Sequence, residues 1–593
     1  MKPTRALIDK IGALESGLLR EEADRYVLDG SLPPFAIPTS LHDSLMARLD
    51  RLASVRRVAQ TGAAIGREFS YTLLHAVSRL PEDELQAALG SLVASGLVFQ
   101  RGMPPNAVYA FKHALVQDAA HSSLLRSARQ QLHAQIAYAL EAHSPELIDS
   151  QPELFAQHYA EAGLVEQSVD FWGKAGRRST ARSAMAEAVA QFRKGLDQLA
   201  LLPVNPEHQR RELEFRSAVG AALQAVKGLA APEAGDAYAR ARILWEQLGS
   251  PSEFLRVPYG QSIYHMNRGE LDLAQRLGED LLRLSGQRND SAGLVLGHLS
   301  FTRTLMLAGR FASSRSHLEE VLALYDPISH HSLVQQVLLH PQVFSRASLG
   351  IVLFCLGYPD QALAQSNAAI AEARRLAHLP SLAVTLAWAA LLLSLVGENA
   401  ALGERADQLV PVAAEQGLLL WSAHGTILCG WVKVKDGDVA EGISLLRDGS
   451  AAYRATGAEA WMPSYIALLA GAYEIAGQVD EALALLDKAL QIVQRTGERW
   501  FAAELNRHKG RLLLRQGHSK AGENLYYKAL SIAQEQEAKV WELRAAVSLS
   551  RLRRDQGRSA EARDLLAPIY GWFTEGFDTP DLKDAKALLD ELA

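Results

Sequence analysis

The sequence is 593 residues long, with 61 Lys and Arg against 67 Asp and Glu and a net charge of −6. That length exceeds what one hydrophobic core can organise and calls for domains or stacked repeats. The mild acidity excludes a global attraction to nucleic acid or anionic membrane, and two cysteines, Cys355 and Cys429, exclude a disulfide framework or cysteine metal cluster and fit a cytoplasmic home.

Met1 to Lys10 has no apolar core and is not a secretory signal. Residues 1–35 form a polar, broken lead-in that ends in Leu32-Pro33-Pro34. Within it Leu14–Leu19 reads as a closing helix and Tyr26-Val27-Leu28 as a short strand. From Ile37 the pattern changes. Pro38 and Thr39 cap a helix with Leu41, Leu45, Leu49 and Leu52 on one face, the 3.6-residue period. A second helix spans about Val55–Ile65 and a third begins near Phe69 and ends by Arg79. A fourth starts at Pro81 with Glu82, Asp83 and Glu84 and carries Leu85, Leu89 and Leu92 to Gly96. Leu97–Arg101 and Ala107–Phe111 read as two strands around a Gly102–Asn106 turn. Three or four helices and a hairpin predict a winged-helix domain at about Ala36–Ser127, with its boundary drawn at residue 130.

After Arg129 everything reads as helix. Gly357, Gly397, Gly437, Gly477, Gly517 and Gly557 fall 40 residues apart, and Gly417, Gly457 and Gly497 keep the same step. A fixed period of this size signals stacked helix pairs, and glycine ends a helix in the left-handed conformation at little steric cost. In the clearest unit Leu469 and Tyr473 precede Gly477, and Ala482, Leu486 and Ala489 follow it. This resembles a tetratricopeptide repeat, lengthened from the usual period. Trp172, Ala175, Gly176, Ala188 and Phe192 mark an earlier unit. The interval of 48 between Gly309 and Gly357 implies an insertion around Asp326–Leu339. About ten helix pairs are expected over 131–593, with a cap at 568–593 carrying Tyr570, Trp572, Phe573 and Phe577. The apolar run Leu382–Val396 is short for a membrane span and falls in the first-helix slot of a repeat, so it reads as a core helix. The predicted fold class is all-α: a winged helix docked on a right-handed superhelix of tetratricopeptide-like pairs.

The order winged helix then long repeat array resembles the C-terminal part of signal-transduction ATPases with numerous domains. More narrowly it resembles bacterial predicted ATPases often fused to class III adenylate/guanylate cyclases. The resemblance is carried by Ser40–Leu52, Phe111–Ala119 and Ile569–Phe577. It implies an ATP-binding domain before residue 36, of which residues 1–35 would be the exit, and ligand capture by the array that releases the winged helix. No Gly-x-x-x-x-Gly-Lys-Ser/Thr phosphate loop is present; Gly62–Arg67 has the wrong spacing and no lysine. No nucleophile elbow or cyclase aspartate pair can be placed, so no catalytic residue, cofactor or enzymatic activity is expected in this chain.

The resemblance makes His113 a nucleotide-sensor candidate, because in related switch ATPases a winged-helix histidine touches nucleotide phosphates. The competing reading is a capping or core histidine at the start of helix 113–126. The family's nearby phenolic position is occupied by His121. DNA binding by the winged helix is disfavoured, because Leu80–Gln100 opens with three acids and has no Lys or Arg before its end. His330, His331 and His340 lack a Cys, Asp or Glu between Pro327 and His340 and read as a polar loop, so no metal is expected. Trp431, Trp461, Trp500 and Trp541 recur about once per repeat. Inter-repeat packing is the leading reading and a peptide groove the lesser one. The expected function is therefore a sensor module taking a protein, peptide or inducer in the solenoid groove, with an ATPase or cyclase domain encoded upstream. The alternatives are the regulatory part of a cyclase-type enzyme and a DNA-binding transcriptional regulator.

Overall fold

The computed structural model describes residues 19–22, 25–28 and 53–593, apart from 183, 331, 332, 335, 336 and 338. The expected helix over Leu41–Leu52 lies outside these residues. So does most of Leu14–Leu19, whose last residue opens a strand, Leu19–Glu22, paired antiparallel with Arg25–Leu28. The chain divides into two compact units, 1–182 with 190–203, and 183–189 with 204–593.

In the first unit, helices Ala53–Ile65, Tyr71–Ser78 and Glu82–Ala94 pack with a three-stranded antiparallel sheet. Its strands are Glu68–Ser70, Val108–Phe111 and Val98–Arg101, in that spatial order. The third expected helix starts later than read. Phe69 is the centre of a strand, and Ser70 caps the helix by accepting a hydrogen bond from the Leu73 N–H. The core under the sheet is Val58, Leu74, Leu89, Phe69, Tyr109 and Phe111, all buried. Helices Ala114–Ser122, Arg126–His143, Pro152–Ala162 and Val165–Ala181 follow. At Gly176 a methyl group would sit 2.6 Å from the Phe192 ring, so only a bare backbone admits that aromatic.

The second unit is a helical solenoid. Among the described residues, nine helix pairs run from Pro206–Lys227 and Pro232–Gln247 to Lys539–Asp555 and Ser559–Tyr570, and Pro580–Glu591 packs over the last. The period glycines adopt the conformation their spacing predicts: Gly357, Gly397, Gly437, Gly477, Gly517 and Gly557 all have φ between +77° and +98°. Leu379–Val396 is long and apolar enough to cross a membrane, yet 78% of it is buried in the stack, where Trp388 packs on Phe344 and Trp461.

The stack returns on itself, which period and propensity do not reveal. The Glu459 and Ala460 N–H groups both donate to the Asn267 carbonyl, at 2.8 and 3.1 Å. One repeat further on, the Arg499 and Trp500 N–H groups donate to the Leu307 carbonyl, at 2.8 and 3.0 Å. The Glu575 carboxylate accepts from the Asp360 and Gln361 N–H groups across 215 and 214 residues of sequence, and Trp572 packs at a tilt against Tyr358. Successive turns of the solenoid are thus joined edge to edge by backbone hydrogen bonds, which satisfy groups that would otherwise end at a turn.

This closure separates two glycines that look alike in sequence. Gly477 and Gly457 both have φ near +80°. A methyl group at Gly477 meets nothing, whereas at Gly457 it would lie 2.6 Å from the Ala230 carbonyl oxygen of the preceding turn. Gly477→Ala is expected to cost about 1 kcal/mol, the left-handed penalty alone, and Gly457→Ala about 3 kcal/mol, as overpacking is added. Urea midpoints of the two variants check the difference.

Candidate functional site

Four tryptophans were expected to mark inter-repeat packing or a groove. Three of them build a ladder at the join between turns: Trp388 to Trp461 at 4.7 Å between ring centres, Trp461 to Trp500 at 5.0 Å, then Phe501 to Trp541 at 5.5 Å and Trp541 to Phe354 at 5.8 Å. Trp500 and Trp541 are fully buried, so they pack turn on turn and line no open surface. Trp431 stands apart, half-buried beneath the Lys435 ammonium.

Glu498 holds the ladder together. Its carboxyl oxygens accept from the Trp461 N–H at 3.0 Å each, and one of them from the Trp500 indole N–H at 3.1 Å. Those bonds fix Trp461 in the left-handed conformation, φ 71°, that swings its ring into the stack. Burial pushes the Glu498 carboxyl up to about 8, against the pull of the two N–H donors. Below the ladder, Glu504 lies between Arg507 (2.7 Å) and Arg544 (3.2 Å), and Arg544 also reaches Asp581 (2.8 Å) and the Leu395 carbonyl. The two guanidinium groups outweigh burial and hold Glu504 down to about 2.

Where the turns do not touch, a cavity of about 460 Å³ remains, walled by the helices Pro206–Lys227, Pro232–Gln247, Arg256–Asn267 and Ser291–Leu307, with Leu339, Pro380 and Leu418–Trp421 opposite. Its surface is mainly carbon, from Ile263, Val337, Leu339 and Trp421. Gln224 is a fixed polar group in the wall: its amide donates to the Gly260 carbonyl (3.1 Å) and its oxygen accepts from the Tyr238 hydroxyl (3.2 Å). Two cations also line it. Arg256 donates to Ser217 Oγ (2.9 Å) and the Glu214 carbonyl (3.2 Å). Arg303 is 3% exposed, lies 5.3 Å over the Phe344 ring, and has an Nε without a hydrogen-bond partner. Concave, mostly apolar and set with a few fixed polar groups, this is the shape of a small-molecule site. Sequence reasoning missed it; the one available signal was Arg303 just ahead of the apolar run Leu305-Met306-Leu307.

The first unit holds a different constellation. The His121 Nε2 and His133 Nε2 lie 3.2 Å apart, the His133 and His158 Nδ1 atoms 2.9 Å apart, and the His158 Nε2 is buried without a partner. Burial lowers all three, His133 to about 3 and His158 to about 4, with neighbouring imidazoles adding to the effect at His133. The unfolded chain therefore takes up protons near pH 6.5 that the folded unit refuses. Stability from these neutral imidazoles is complete above pH 6.5 and is lost as pH falls toward about 4. Hydrogen exchange in peptides covering 126–162 should accelerate from pH 7 to pH 5 after correction for the intrinsic rate, and less so in His133→Gln.

His113 is the N-cap residue of Ala114–Ser122. It is exposed, its side chain makes no capping bond, and its carbonyl accepts from the Val116 N–H at 3.0 Å. His330 bonds Ser291 Oγ (2.9 Å) and accepts from the Asp326 N–H, and His340 bonds the Tyr325 hydroxyl (3.3 Å). Among the described residues no group of three or more His, Cys, Asp or Glu could hold a metal ion. His331 lies outside them. Cys355 is buried and burial pushes its thiol well up; Cys429 is half-buried and also raised.

The chain is 25% identical over 547 residues to an uncharacterized protein of Rhizobium meliloti (strain 1021), covering 90% of this chain and 52% of that one. It thus spans about half the length of the curated relative it matches. Solved structures similar to it include a Rap protein complexed with competence and sporulation factor (11% identity, TM-score 0.45, 63% of this chain and 98% of that one). A signal-transduction ATPase with numerous domains bearing a tetratricopeptide repeat sensor, from Pyrococcus horikoshii, is another (9% identity, TM-score 0.43, 84% of this chain and 68% of that one). Residues 462–535 match the family model of the tetratricopeptide repeat, the stretch in which Leu469, Tyr473, Gly477, Ala482, Leu486 and Ala489 stand in the repeat's order.

Proposed function

We propose that this chain is the ligand-binding sensor module of a signal-transduction ATPase-type protein. The repeat solenoid receives a small ligand, and the N-terminal unit passes the signal to a nucleotide-hydrolysing domain outside these 593 residues. The observation that carries the reading is the mostly apolar cavity of about 460 Å³ between turns of the solenoid, with Gln224 and Arg303 held in its wall. The tetratricopeptide match at 462–535 supports the solenoid as a recognition scaffold. The helices and the Glu68–Ser70, Val108–Phe111, Val98–Arg101 sheet support a winged-helix reading of the first unit. The acidic first turn of Glu82–Ala94, with no Lys or Arg in that helix, favours a protein partner over DNA. In this reading the chain has no catalytic role, the superhelix is right-handed, and exposed His113 is available to a nucleotide held by the partner domain.

The test is a thermal-shift screen of a metabolite collection against the whole chain and against Ala225→Phe, which fills the cavity from its wall. The proposal expects at least one compound to raise the Tm of the native chain and to lose that effect in the filled variant. Equal shifts in both proteins, or none in either, would overturn it.

A further inference from the structure

The cavity also carries information about what it binds. Arg303 stands about one turn before the C-terminal end of Ser291–Leu307, between buried Thr302 and Thr304 and ahead of buried Leu305, Met306 and Leu307. Among the described residues its buried Nε has no hydrogen-bond partner and its guanidinium makes no ion pair with a carboxylate, although it has five N–H donors to satisfy. An isolated buried charge is among the costliest features a fold can carry. The Phe344 ring beneath it returns only a part of that cost. The other deeply placed arginines of the solenoid do not share this condition: Arg507 and Arg544 are both paired with Glu504. Arg303 alone of the three faces open volume.

The surroundings select the missing partner. Ile263, Val337, Leu339 and Trp421 offer an apolar body contact. Arg256 adds a second positive charge to the wall. The carboxylates of Glu187 and Glu415, which also border the cavity, are exposed at its rim, where solvent screens them. The volume is that of a single small organic molecule.

We propose that the cavity binds a small organic acid with an apolar body, its carboxylate seated on the Arg303 guanidinium. The inference rests on reading the cavity as the ligand site and adds the chemistry of the ligand. Arg303 is the specificity residue: a guanidinium offers a planar fork that matches a carboxylate, and a neutral analogue leaves it unpaired.

The experiment is isothermal titration calorimetry on the whole chain with octanoate, 3-phenylpropionate and indole-3-acetate, each beside its neutral alcohol. At least one acid is expected to bind about tenfold or more tightly than its alcohol, a difference set by the charge-assisted bond. Arg303→Met is expected to abolish that preference, and Arg303→Lys to keep part of it. Because the arginine is unpaired without ligand, Arg303→Met is also expected to raise the Tm of the ligand-free chain. Acid and alcohol binding equally, with Arg303→Met unchanged, would overturn the anion assignment and leave the cavity as a ligand site. No saturable binding by any probe would overturn both readings. A lowered Tm in Arg303→Met would make Arg303 a structural cation and also overturn the assignment.

Discussion

Arg544→Met is expected to destabilise the solenoid by about 3–5 kcal/mol, the cost of leaving a buried carboxylate without one of its cations. The Arg544 side chain is 17% exposed and Glu504 7%, so solvent cannot replace the lost partner. The variant loses more than one bond. Arg544 ties three places together: Glu504 in the neighbouring repeat, Asp581 in the final helix, and the Leu395 carbonyl 149 residues earlier in the sequence. The pH dependence follows from Glu504. Its carboxyl is held down to about 2, below the ordinary 4.5, so its contribution is present above pH 4.5 and lost as pH falls toward about 2. Chemical denaturation of native and variant chains at pH 7 and pH 3.5 checks both statements: the difference between them should shrink at the lower pH.

Glu498→Ala is expected to cost about 4 kcal/mol, because the Trp461 N–H and the Trp500 indole N–H would both remain buried and unpaired. Glu498→Gln separates the hydrogen bonds from the charge. With the carboxyl pushed up to about 8, the native side chain is largely protonated at pH 7, and glutamine reproduces its neutral form. The raised value also gives a sign. Between the unfolded value near 4.5 and about 8 the folded chain holds a proton that the unfolded chain releases, so stability falls as pH rises through that window. Glu498→Gln should lack this decline, and melting curves between pH 5 and pH 9 measure it. A decline of equal slope in both proteins would show that another group is responsible.

Much of this architecture is legible in the sequence, for reasons that are local. A left-handed helix end favours glycine at each turn, so a solenoid of constant pair length writes its period into Gly357 through Gly557. Leu379–Val396 was readable as core because its apolar run occupies a repeat slot. The strand Glu68–Ser70 was not readable, since three residues cannot display an alternation and Phe69 suits a helix as well. What escaped entirely is non-local. Glu498 follows Gly497 as any solvated acid follows a helix, and only the return of the chain places it under two tryptophans. Arg303 reads as an interruption in an apolar helix, and its meaning comes from the Phe344 ring and the open volume beside it. The His121, His133 and His158 chain joins three helices whose spacing carries no motif.

The cavity between turns of the solenoid persists only if those turns stay joined. Amide hydrogen exchange followed by mass spectrometry reads this directly. In an open solenoid the segments 457–461 and 497–501 would be ordinary inter-helix turns, exchanging as fast as the exposed turns at Gly477 and Gly517. With the Glu459, Ala460, Arg499 and Trp500 N–H groups bonded to the Asn267 and Leu307 carbonyls, they should instead exchange as slowly as the helices around them. Protection of both segments, absent at Gly477 and Gly517, is the predicted result. Equal, rapid exchange at all four turns would contradict the closed solenoid and remove the cavity with it.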